Sequence, residues 1–511
     1  MYDIIYIQIK DKSMNLVTTQ ALEQATKITF VNADTYSSVI SQDIADRMKF
    51  TGEYQQTLYL PEQNMVVVGT TQNEKIKHCD QWSSKDFYEL GGAAVKPLVK
   101  SQIDTVHIEG LAENSDNPEN DLMIACLGMM QTTWMFDAYL SKESSDKKDL
   151  HISVGEAEAP YVTEGFNTEL KALYQGLVVT RSTIDEIPEK FNPSTAEGRI
   201  REELEEYDNV TINTLDQAQL EEKGMEALLS VNRSSRHDCV LTHVVLKPAG
   251  EVKQKIVLVG KGLTYDSGGL DIKYAGNMKT MKMDMGGAGT MFGVMKALAE
   301  IGLEHTEVHW MTGFAENMVG GDAYKADDIL TSYSGQTIEV FHTDAEGRLT
   351  LADVLTYATL QDPDYIIDAA TLTGASMRAL SEHCTAMMGN DAELLANLEQ
   401  SFVQEQEKTI QVQMPEVLRD QIKGDISDLR NLAKEAAMAG HITAGLFLSH
   451  FVDQRQFRNS ELGLESPKGY AWAHLDIAGT AHNEGKNTLG IKGATGQSVR
   501  SLVRFIQKND Q

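Results

Sequence analysis

Residues 337–360 read TIEVFHTDAEGRLTLADVLTYATL, and this stretch predicts the fold class of the chain. The run TIEVF is typical of a strand, whereas the apolar residues of LTLADVLTYATL recur at the spacing of a helix. A strand that leads directly into a helix is the repeating unit of α/β proteins. In an open sheet of this class, the turn between the two lies at the edge where ligands bind.

The same alternation of strands and helices extends around this stretch. Strands are predicted at 255–260, 306–313 and 364–372, and a helix is predicted at 289–302. The run KIVLVG at 255–260 is continuous and apolar, as expected for a strand that is buried on both faces. We therefore expect a central, mostly parallel sheet that is covered by helices.

The N-terminal part predicts a second α/β unit. Strands are expected at 65–70 and 105–110 with a helix at 91–102 between them, and longer helices at 122–140 and 163–179. A chain of 511 residues exceeds what one core usually supports. We expect a smaller N-terminal α/β domain over 1–165 and a larger one over 166–511 that begins with a linker helix.

The turn at 342–348 carries chemically active side chains. Asp344, Glu346 and Arg348 are spaced two apart, and such side chains share one side of an extended segment. The turn is therefore expected to direct two carboxylates and a guanidinium into one crevice. Close carboxylates repel each other unless a cation or a shared proton neutralises them. A solvated turn in which Asp344 caps the next helix would explain an isolated motif more simply.

A second charged cluster argues against that simpler explanation. Residues 255–289 read KIVLVGKGLTYDSGGLDIKYAGNMKTMKMDMGGAG, and charged residues follow the buried strand among many glycines. Glycine permits tight turns and close backbone approach. The charged positions in this cluster are Lys261, Asp266, Asp271, Lys273, Lys282 and Asp284.

Two acids of the 255–289 cluster and two acids of the 342–348 turn supply four carboxylates as possible metal ligands. Neither segment contains a cysteine. Oxygen-rich ligand sets suit Mg²⁺ or Mn²⁺, and Zn²⁺ also accepts carboxylates. Two metals bridged by shared carboxylates form an arrangement that activates water for hydrolysis. The two clusters therefore predict a two-metal hydrolase site.

The motifs resemble those of the M17 leucyl aminopeptidases, also called cytosol aminopeptidases. The segments KGLTYDSGGLDIK, MKMDMGG and TDAEGRL occur in the order that is typical of this family. The resemblance extends over about the last 260 residues of the chain, through GFAENM, DAATLTGA, WAHLDIAGTA and KGATGQSVRSLV. It implies a metal-dependent exopeptidase that releases N-terminal amino acids, leucine-like ones preferred, from peptides.

The resemblance implies a ligand set for two divalent metal ions, Mn²⁺ or Zn²⁺, with Co²⁺ or Mg²⁺ as alternatives. The tighter ion would be held by Lys261, Asp266, Asp284 and Glu346. The more exchangeable ion would be held by Asp266, Asp344 and Glu346, so that Asp266 and Glu346 bridge the two ions. A lysine can bind a metal only as a neutral amine, which requires burial beside a cation.

The resemblance also implies roles in catalysis and binding. Lys273 would stabilise the oxyanion that forms from the scissile carbonyl. Arg348 would hold a bicarbonate that acts as general base, because its fork fits a planar anion. The residues implied for the substrate cleft are Met281, Thr371, Leu372 and Gly374. The family further implies a homohexamer built as a dimer of trimers.

The sequence departs from the family pattern at three places. His342 stands where asparagine is usual, Tyr274-Ala275 replaces Pro-Ser, and 319–328 reads VGGDAYKADD. No proposed ligand is lost, so these changes concern the rim of the cleft and its substrate preference. We expect His342 to be a hydrogen-bonding or packed histidine rather than a metal ligand.

Composition limits the other functions that the chain can have. The formal charge of −30 opposes binding to nucleic acid or to an anionic membrane. The four cysteines are far apart, which predicts unpaired thiols in a reducing compartment. Residues 1–13 carry an early acid and alternate like a strand, unlike a signal peptide, and no apolar run reaches transmembrane length. We expect a cytoplasmic protein.

Two other functions fit parts of the pattern. One is a DNA-binding protein on the same scaffold, although no basic cluster with interleaved aromatic residues occurs. The other is a different two-metal hydrolase such as a phosphoesterase, although such sites normally contain histidines and the two clusters supply only His342.

Overall fold

The chain divides into two compact units. The computed structural model describes residues 17–20, 22, 24–71, 86–99, 104–141, 150–274, 276–435, 438–485 and 491–510. The first unit comprises 1–174 and 484–492, and the second comprises 175–483 and 493–511. The division falls inside a helix, Glu164–Asp185. The domain boundary between 165 and 166 stays a prediction.

The first unit contains a six-stranded sheet in the order β1-β6-β5-β2-β4-β3. Its strands are parallel except for β3, which is antiparallel to β4. The strands are β1 Val17–Thr18, β2 Thr26–Val31, β3 Thr57–Leu60, β4 Met65–Gly69, β5 Thr105–Glu109 and β6 His151–Val154. The helices that begin in this unit are α1 Gln42–Met48, α2 Phe87–Val95, α3 Pro118–Thr133 and α4 Glu164–Asp185.

The helices of this unit differ in extent from their predictions. Helix α2 begins at Phe87, where the Asp86 side chain accepts a hydrogen bond from the Glu89 amide, and it ends at Val95. Residues 100–102 of the predicted helix lie outside the described residues. Helix α3 ends at Thr133 because Trp134 is extended, so the helix predicted over 122–140 is too long. The predicted strand at 1–13 also lies outside the described residues.

The second unit is built on a nine-stranded mixed sheet. Its main path is β16-β15-β18-β14-β9-β11-β8-β7, and β10 pairs with β11. The four central strands β18, β14, β9 and β11 are parallel, as predicted. The strands are β7 Val210–Leu215, β8 Val240–Leu246, β9 Gln254–Gly260, β10 Gly262–Asp266, β11 Thr306–Asn317, β14 Tyr365–Ala370, β15 Thr385–Gly389, β16 Thr409–Gln411 and β18 Ala471–Asp476. The shorter strands are β12 Ile329–Thr331, β13 Thr337–Glu339, β17 Leu429–Arg430, β19 His482–Glu484 and β20 Lys492–Ala494.

Helices cover both faces of this sheet. Val257 and Val259 of β9 pack in one cluster with Leu349 of α9. Gly260 points to the opposite face, where a side chain would lie 2.6 Å from Ala288 of α8. The remaining helices are α5 Pro193–Leu204, α6 Gln217–Lys223, α7 Glu226–Asn232, α8 Gly286–Ile301, α9 Gly347–Thr359, α10 Gly374–Leu380, α11 Ala392–Gln404, α12 Gly440–Leu448 and α13 Val499–Asn509. The predicted α/β architecture is confirmed.

One predicted strand belongs to a different sheet. The segment predicted at 337–341 forms only the three-residue strand β13, which pairs with β12 and β17 in a small separate sheet. The turn that follows therefore does not end a strand of the central sheet. It reaches the edge of that sheet because helix α9 packs on the face of β9.

Two further expectations concern cysteines and membrane segments. Cys126 and Cys239 are buried free cysteines, Cys384 is half-buried, and Cys79 lies outside the described residues. Within the described ranges, no helix combines the length and the apolarity that a membrane crossing requires.

Asp353 of α9 is a buried acid whose side chain forms hydrogen bonds with the backbone of two other segments. Its carboxylate accepts hydrogen bonds from the backbone amides of Leu228, at 2.9 Å, and Tyr333, at 2.7 Å. Burial raises its pKa to about 7 although these bonds oppose the shift. Asp353 thus joins helix α9 to the start of α7 and to the loop before β13.

Asp353→Ala should destabilise the second unit by about 2–4 kcal/mol, because it leaves buried amides without an acceptor. The loss would be measured as a lower urea midpoint of unfolding. Asp364→Ala is the matched control, since Asp364 accepts one amide hydrogen bond, from Lys255, at the surface. Equal midpoints for the two variants would contradict the anchoring role.

Candidate active site

The predicted site residues meet where several elements end at one edge of the central sheet. Lys261 follows strand β9, Asp266 ends β10, and Thr371 follows β14. Asp284 lies in a short 3₁₀ helix, Met281–Met285, that leads into α8, and Glu346 immediately precedes α9. The structure thus places the two charged clusters of the sequence side by side.

Lys261 is buried among the side chains of Asp284 and Glu346 and the backbone of Thr371. Its Nζ donates to Asp284 Oδ1 at 2.8 Å, to Glu346 Oε1 at 2.9 Å and to the Thr371 carbonyl at 3.2 Å. Gly347 permits this approach, because a Cβ there would lie 2.4 Å from Lys261 Cε. Burial opposes the charge on Lys261, but the surrounding carboxylates outweigh it and raise the pKa of the amine above its usual value.

The second lysine of the site, Lys273, lies beside the carboxylates of Asp266 and Asp344. Its Nζ lies 2.6 Å from Asp266 Oδ2 and 2.5 Å from Asp344 Oδ1. The chain reaches this position through a tight turn at Gly268 and Gly269, whose φ angles of 89° and 66° favour glycine. Burial opposes the charge, but the carboxylates outweigh it and also raise the pKa of Lys273. In this structure the two lysines are therefore the counter-ions of four carboxylates.

Three of the carboxylates converge on one point. Asp266, Asp284 and Glu346 are buried, and one carboxylate oxygen from each lies within 4.8 Å of the other two. Asp284 Oδ2 and Glu346 Oε2 are buried without a hydrogen-bond partner among the described residues. Buried charged oxygens are rarely left unpartnered, so this donor set fits a metal ion.

The carboxylates of this group also perturb each other. Burial and the charge of Glu346 raise the pKa of Asp266 to about 7, and burial raises that of Asp284 well above its usual value. Burial would also raise the pKa of Glu346, but Lys261 and Lys273 outweigh burial and lower it to about 2. Burial and mutual repulsion thus disfavour charge on all three carboxylates at once, and a bound cation would remove that penalty.

Arg348 lies in the first turn of α9 and is buried. Its Nε and Nη1 have no hydrogen-bond partner among the described residues. Burial lowers its pKa to about 10, while Glu346 and Asp476 act in the opposite direction.

The expectation that the turn at 342–348 is extended is wrong, because Glu346 has helical backbone angles and α9 begins at Gly347.

Three of the four predicted cleft residues, Thr371, Leu372 and Gly374, lie just after β14. The Thr371 hydroxyl donates to Asp284 Oδ1 at 2.9 Å, which joins this loop to the carboxylate group. Asp476, at the end of β18, accepts from the Leu372 amide at 3.4 Å and from the Thr373 hydroxyl at 2.7 Å. Gly374 then begins α10, and Met281 lies half-buried in the 3₁₀ helix.

Asn317 and Asp271 support the site, although the sequence predicts no role for either of them. Asn317 donates to Asp266 Oδ1 at 2.8 Å and to the Thr343 carbonyl at 3.0 Å. Asp271 accepts from the Thr343 amide at 2.8 Å, and its own amide donates to the Thr343 hydroxyl at 2.8 Å. Asn317 is the fifth residue of the GFAENM motif (313–318) and the last residue of strand β11.

The departures from the family pattern lie around this framework. His342 Nδ1 accepts from the Asp344 amide at 3.2 Å, a bond that an asparagine side chain at this position also makes when it forms an Asx turn. Tyr274 is 85% exposed and Val319 is 49% exposed, so neither is part of the buried group. Ala275 lies outside the described residues.

Comparisons with known proteins identify relatives of this chain. A model of the cytosol aminopeptidase family, catalytic domain, matches residues 178–503. A protein of Aquifex aeolicus (strain VF5) named "Probable cytosol aminopeptidase" is 33% identical over 475 residues, which are 91% of this chain and 90% of that protein. A relative of the same name from Campylobacter jejuni is 41% identical over 327 residues, which are 64% of this chain and 65% of that protein.

A solved structure shares the fold. The chain described as "Bottromycin maturation enzyme BotP in complex with Mn" superposes with a TM-score of 0.78 at 25% identity, covering 95% of this chain and 100% of that chain. The family model covers more than half of the chain and includes every residue of the carboxylate group. The chain therefore belongs to the cytosol aminopeptidase family.

Proposed function

We propose that this protein is a two-metal aminopeptidase that releases N-terminal amino acids, leucine-like ones preferred, from peptides. One observation carries the proposal. Asp266, Asp284 and Glu346 are buried with ligand atoms within 4.8 Å of one another, and unpartnered oxygens of Asp284 and Glu346 remain available. A carboxylate group of this kind, in a member of this family, is suited to hold divalent metal ions.

The proposed ligands fall into two overlapping sets. Lys261, which donates hydrogen bonds to Asp284 and Glu346, would hold the tighter ion together with these two acids and Asp266. Asp266 and Asp344, which share the Lys273 ammonium, would hold the exchangeable ion with Glu346. Mn²⁺ is the first choice because the similar solved structure is described in complex with Mn. Zn²⁺, Co²⁺ and Mg²⁺ are the alternatives.

When bound, such metal ions polarise a carbonyl and lower the pKa of a bound water. The protein's own groups would supply the rest of the chemistry. Lys273, placed beside Asp266 and Asp344, would stabilise the oxyanion. Arg348, with two unpartnered nitrogens, would bind a bicarbonate, and that anion would supply a general base. Met281, Thr371, Leu372 and Gly374 would line the substrate cleft.

The exopeptidase character follows from ligation by the substrate. The metal ions would supply a ligand position for a free α-amine, so a blocked N-terminus should prevent cleavage. We also propose a homohexamer, a dimer of trimers, in the cytoplasm, with no binding to nucleic acid or membrane. Light scattering should give about six times the chain mass of 56.5 kDa, and a gel-shift at physiological salt should show no DNA complex.

The proposed function is tested with protein that has been stripped of metal by a chelator. Mn²⁺ should restore hydrolysis of leucine p-nitroanilide, but not of the N-acetylated compound or of p-nitrophenyl phosphate. Re-metallation with Zn²⁺, Co²⁺ and Mg²⁺ in turn identifies the most active ion. Equal cleavage of the blocked substrate would exclude an aminopeptidase, and hydrolysis of the phosphate ester would indicate a phosphoesterase.

The two lysines should differ in their effects. Lys261→Ala should weaken metal binding, with partial rescue by excess metal, because Lys261 contacts Asp284 and Glu346 directly. Lys273→Ala should keep both metals but lower turnover by about 10²–10³, the effect of losing one transition-state contact. Lys273→Arg should not restore full turnover, because a planar fork does not replace a compact ammonium.

Elemental analysis and steady-state kinetics distinguish these outcomes. Lys279→Ala is the matched control, because Lys279 is an exposed lysine of the same segment. It should retain metals and turnover. Metal loss in Lys273→Ala together with full metal content in Lys261→Ala would reverse the two assignments.

A further inference from the structure

A fully buried polar group on strands β14 and β18 has no role in the chemistry described so far. His474 Nδ1 lies 2.6 Å from Asp368 Oδ1, and Trp472 Nε1 donates to Asp368 Oδ2 at 2.7 Å. All three side chains are 0% exposed. Both oxygens of Asp368 are thus occupied, and the carboxylate fixes the orientation of the His474 ring.

The other nitrogen of this ring lacks a partner. Among the described residues, nothing forms a hydrogen bond with His474 Nε2, and the same holds for Arg348 Nε and Nη1. Each buried polar atom without a partner is costly. Three such nitrogens in one neighbourhood therefore indicate a ligand that accepts hydrogen bonds.

The sheet register places His474 on the face of the sheet that helix α9, which carries Arg348, covers. Val259, Asp368 and His474 are in register across β9, β14 and β18, so their side chains point to the same face. That face is the one covered by α9, since Val259 packs in a cluster with Leu349. Arg348 lies in the first turn of α9, and its charge acts on His474.

The charges around His474 favour a donor at Nε2. Burial opposes protonation, but the carboxylates of Asp368 and Asp476 outweigh burial and the charge of Arg348, and they raise the pKa of the imidazole above its usual value. A protonated imidazole that donates Nδ1–H to Asp368 has one further donor, Nε2–H. The neighbourhood then offers donors from Arg348 and His474 and suits an anion.

We propose that His474, oriented by Asp368, supplies a further hydrogen bond to the small planar oxyanion that Arg348 binds. This inference rests on the proposed function for the identity of that anion, which is bicarbonate. His474 is thereby an anion-binding residue, and Asp368 is a positioning residue that acts through it.

Two substitutions of His474 separate binding from structure. In His474→Asn, the shorter amide side chain can still donate an N–H to Asp368, as His474 Nδ1 does. It places no atom where His474 Nε2 lies, so the proposed hydrogen bond to the anion is lost. His474→Gln places its amide group near the Nε2 position. Asp368→Asn removes the charge that orients the ring, and it carries the test should His474→Asn not fold. His243→Asn is the matched control. His243 is a buried histidine of β8, and the hydrogen bond described for its side chain joins His243 Nε2 to His309 Nδ1 at 2.9 Å.

Calorimetric titration of bicarbonate into the metal-loaded protein measures the effect directly. His474→Asn and Asp368→Asn should bind bicarbonate about 10-fold or more weakly, the effect of one hydrogen bond to a charged group. His474→Gln and His243→Asn should stay within about threefold of wild type at similar melting temperature. Unchanged binding by His474→Asn, or equal weakening in His243→Asn, would overturn the proposal.

A wild-type protein that binds no bicarbonate would also overturn it. Hydrolysis of leucine p-nitroanilide by the same preparation would show that the proposed aminopeptidase activity stands on its own. The two failures are therefore distinguishable.

Discussion

Glu346→Ala should reduce the bound metal below two ions per chain and abolish hydrolysis of leucine p-nitroanilide. Glu346 is 2% exposed, contacts Lys261 at 2.9 Å and has an unpartnered Oε2 in the carboxylate group. If it bridges both metals, no neighbouring oxygen replaces it. Asp266→Ala should have the same result, because Asp266 belongs to both proposed ligand sets.

The measurement is elemental analysis of dialysed protein alongside initial rates. Glu393→Ala is the control, because Glu393 is an exposed acid of α11. It should retain two metals and full activity. Full metal occupancy in both Glu346→Ala and Asp266→Ala would refute the bridging assignment even if activity were lost.

Arg348→Ala should retain both metals and the fold but lose about 10²–10⁴ in turnover, the range typical for loss of a general base. Arg348 is buried with two unpartnered nitrogens, and among the described residues it is linked to the proposed ligand Glu346 only through charge. Its removal should therefore affect the bound anion rather than the metals. Arg348→Lys keeps the charge but not the fork, so it should recover only part of the rate.

Bicarbonate dependence gives the second readout for Arg348. Adding bicarbonate to carbonate-free buffer should raise the activity of wild type and leave Arg348→Ala unchanged. Indifference of wild type to bicarbonate, together with a mild Arg348→Ala defect, would count against the assigned role.

The sequence predicted the elements whose signal is local. Strand β9 is a continuous apolar run and α9 has a clear helical period, so both were located to within a few residues. Strand β13 was assigned to the wrong sheet, because a three-residue strand carries no local signal of its partners. Helix α3 was predicted too long because apolar residues continue after Trp134, where the backbone becomes extended.

The charged residues of the site could be predicted from the sequence, because they are concentrated in two short motifs. The structure brings Lys261, Asp266, Asp284 and Glu346 together as expected, whereas their roles stay predictions. Asn317 was missed because an amide gives no sign, in sequence, of a carboxylate 51 residues away. The pairing of His474 with Asp368 across 106 residues was equally hidden, since it depends on the register of two strands.

The most direct test of the two-metal site is an anomalous difference map from crystals grown with Mn²⁺. Two peaks per chain are expected, one among Lys261, Asp266, Asp284 and Glu346, and one among Asp266, Asp344 and Glu346. Ligand distances should be close to about 2.0–2.3 Å. A map without peaks at these residues, with Lys261 and Lys273 still paired to the carboxylates, would contradict the account.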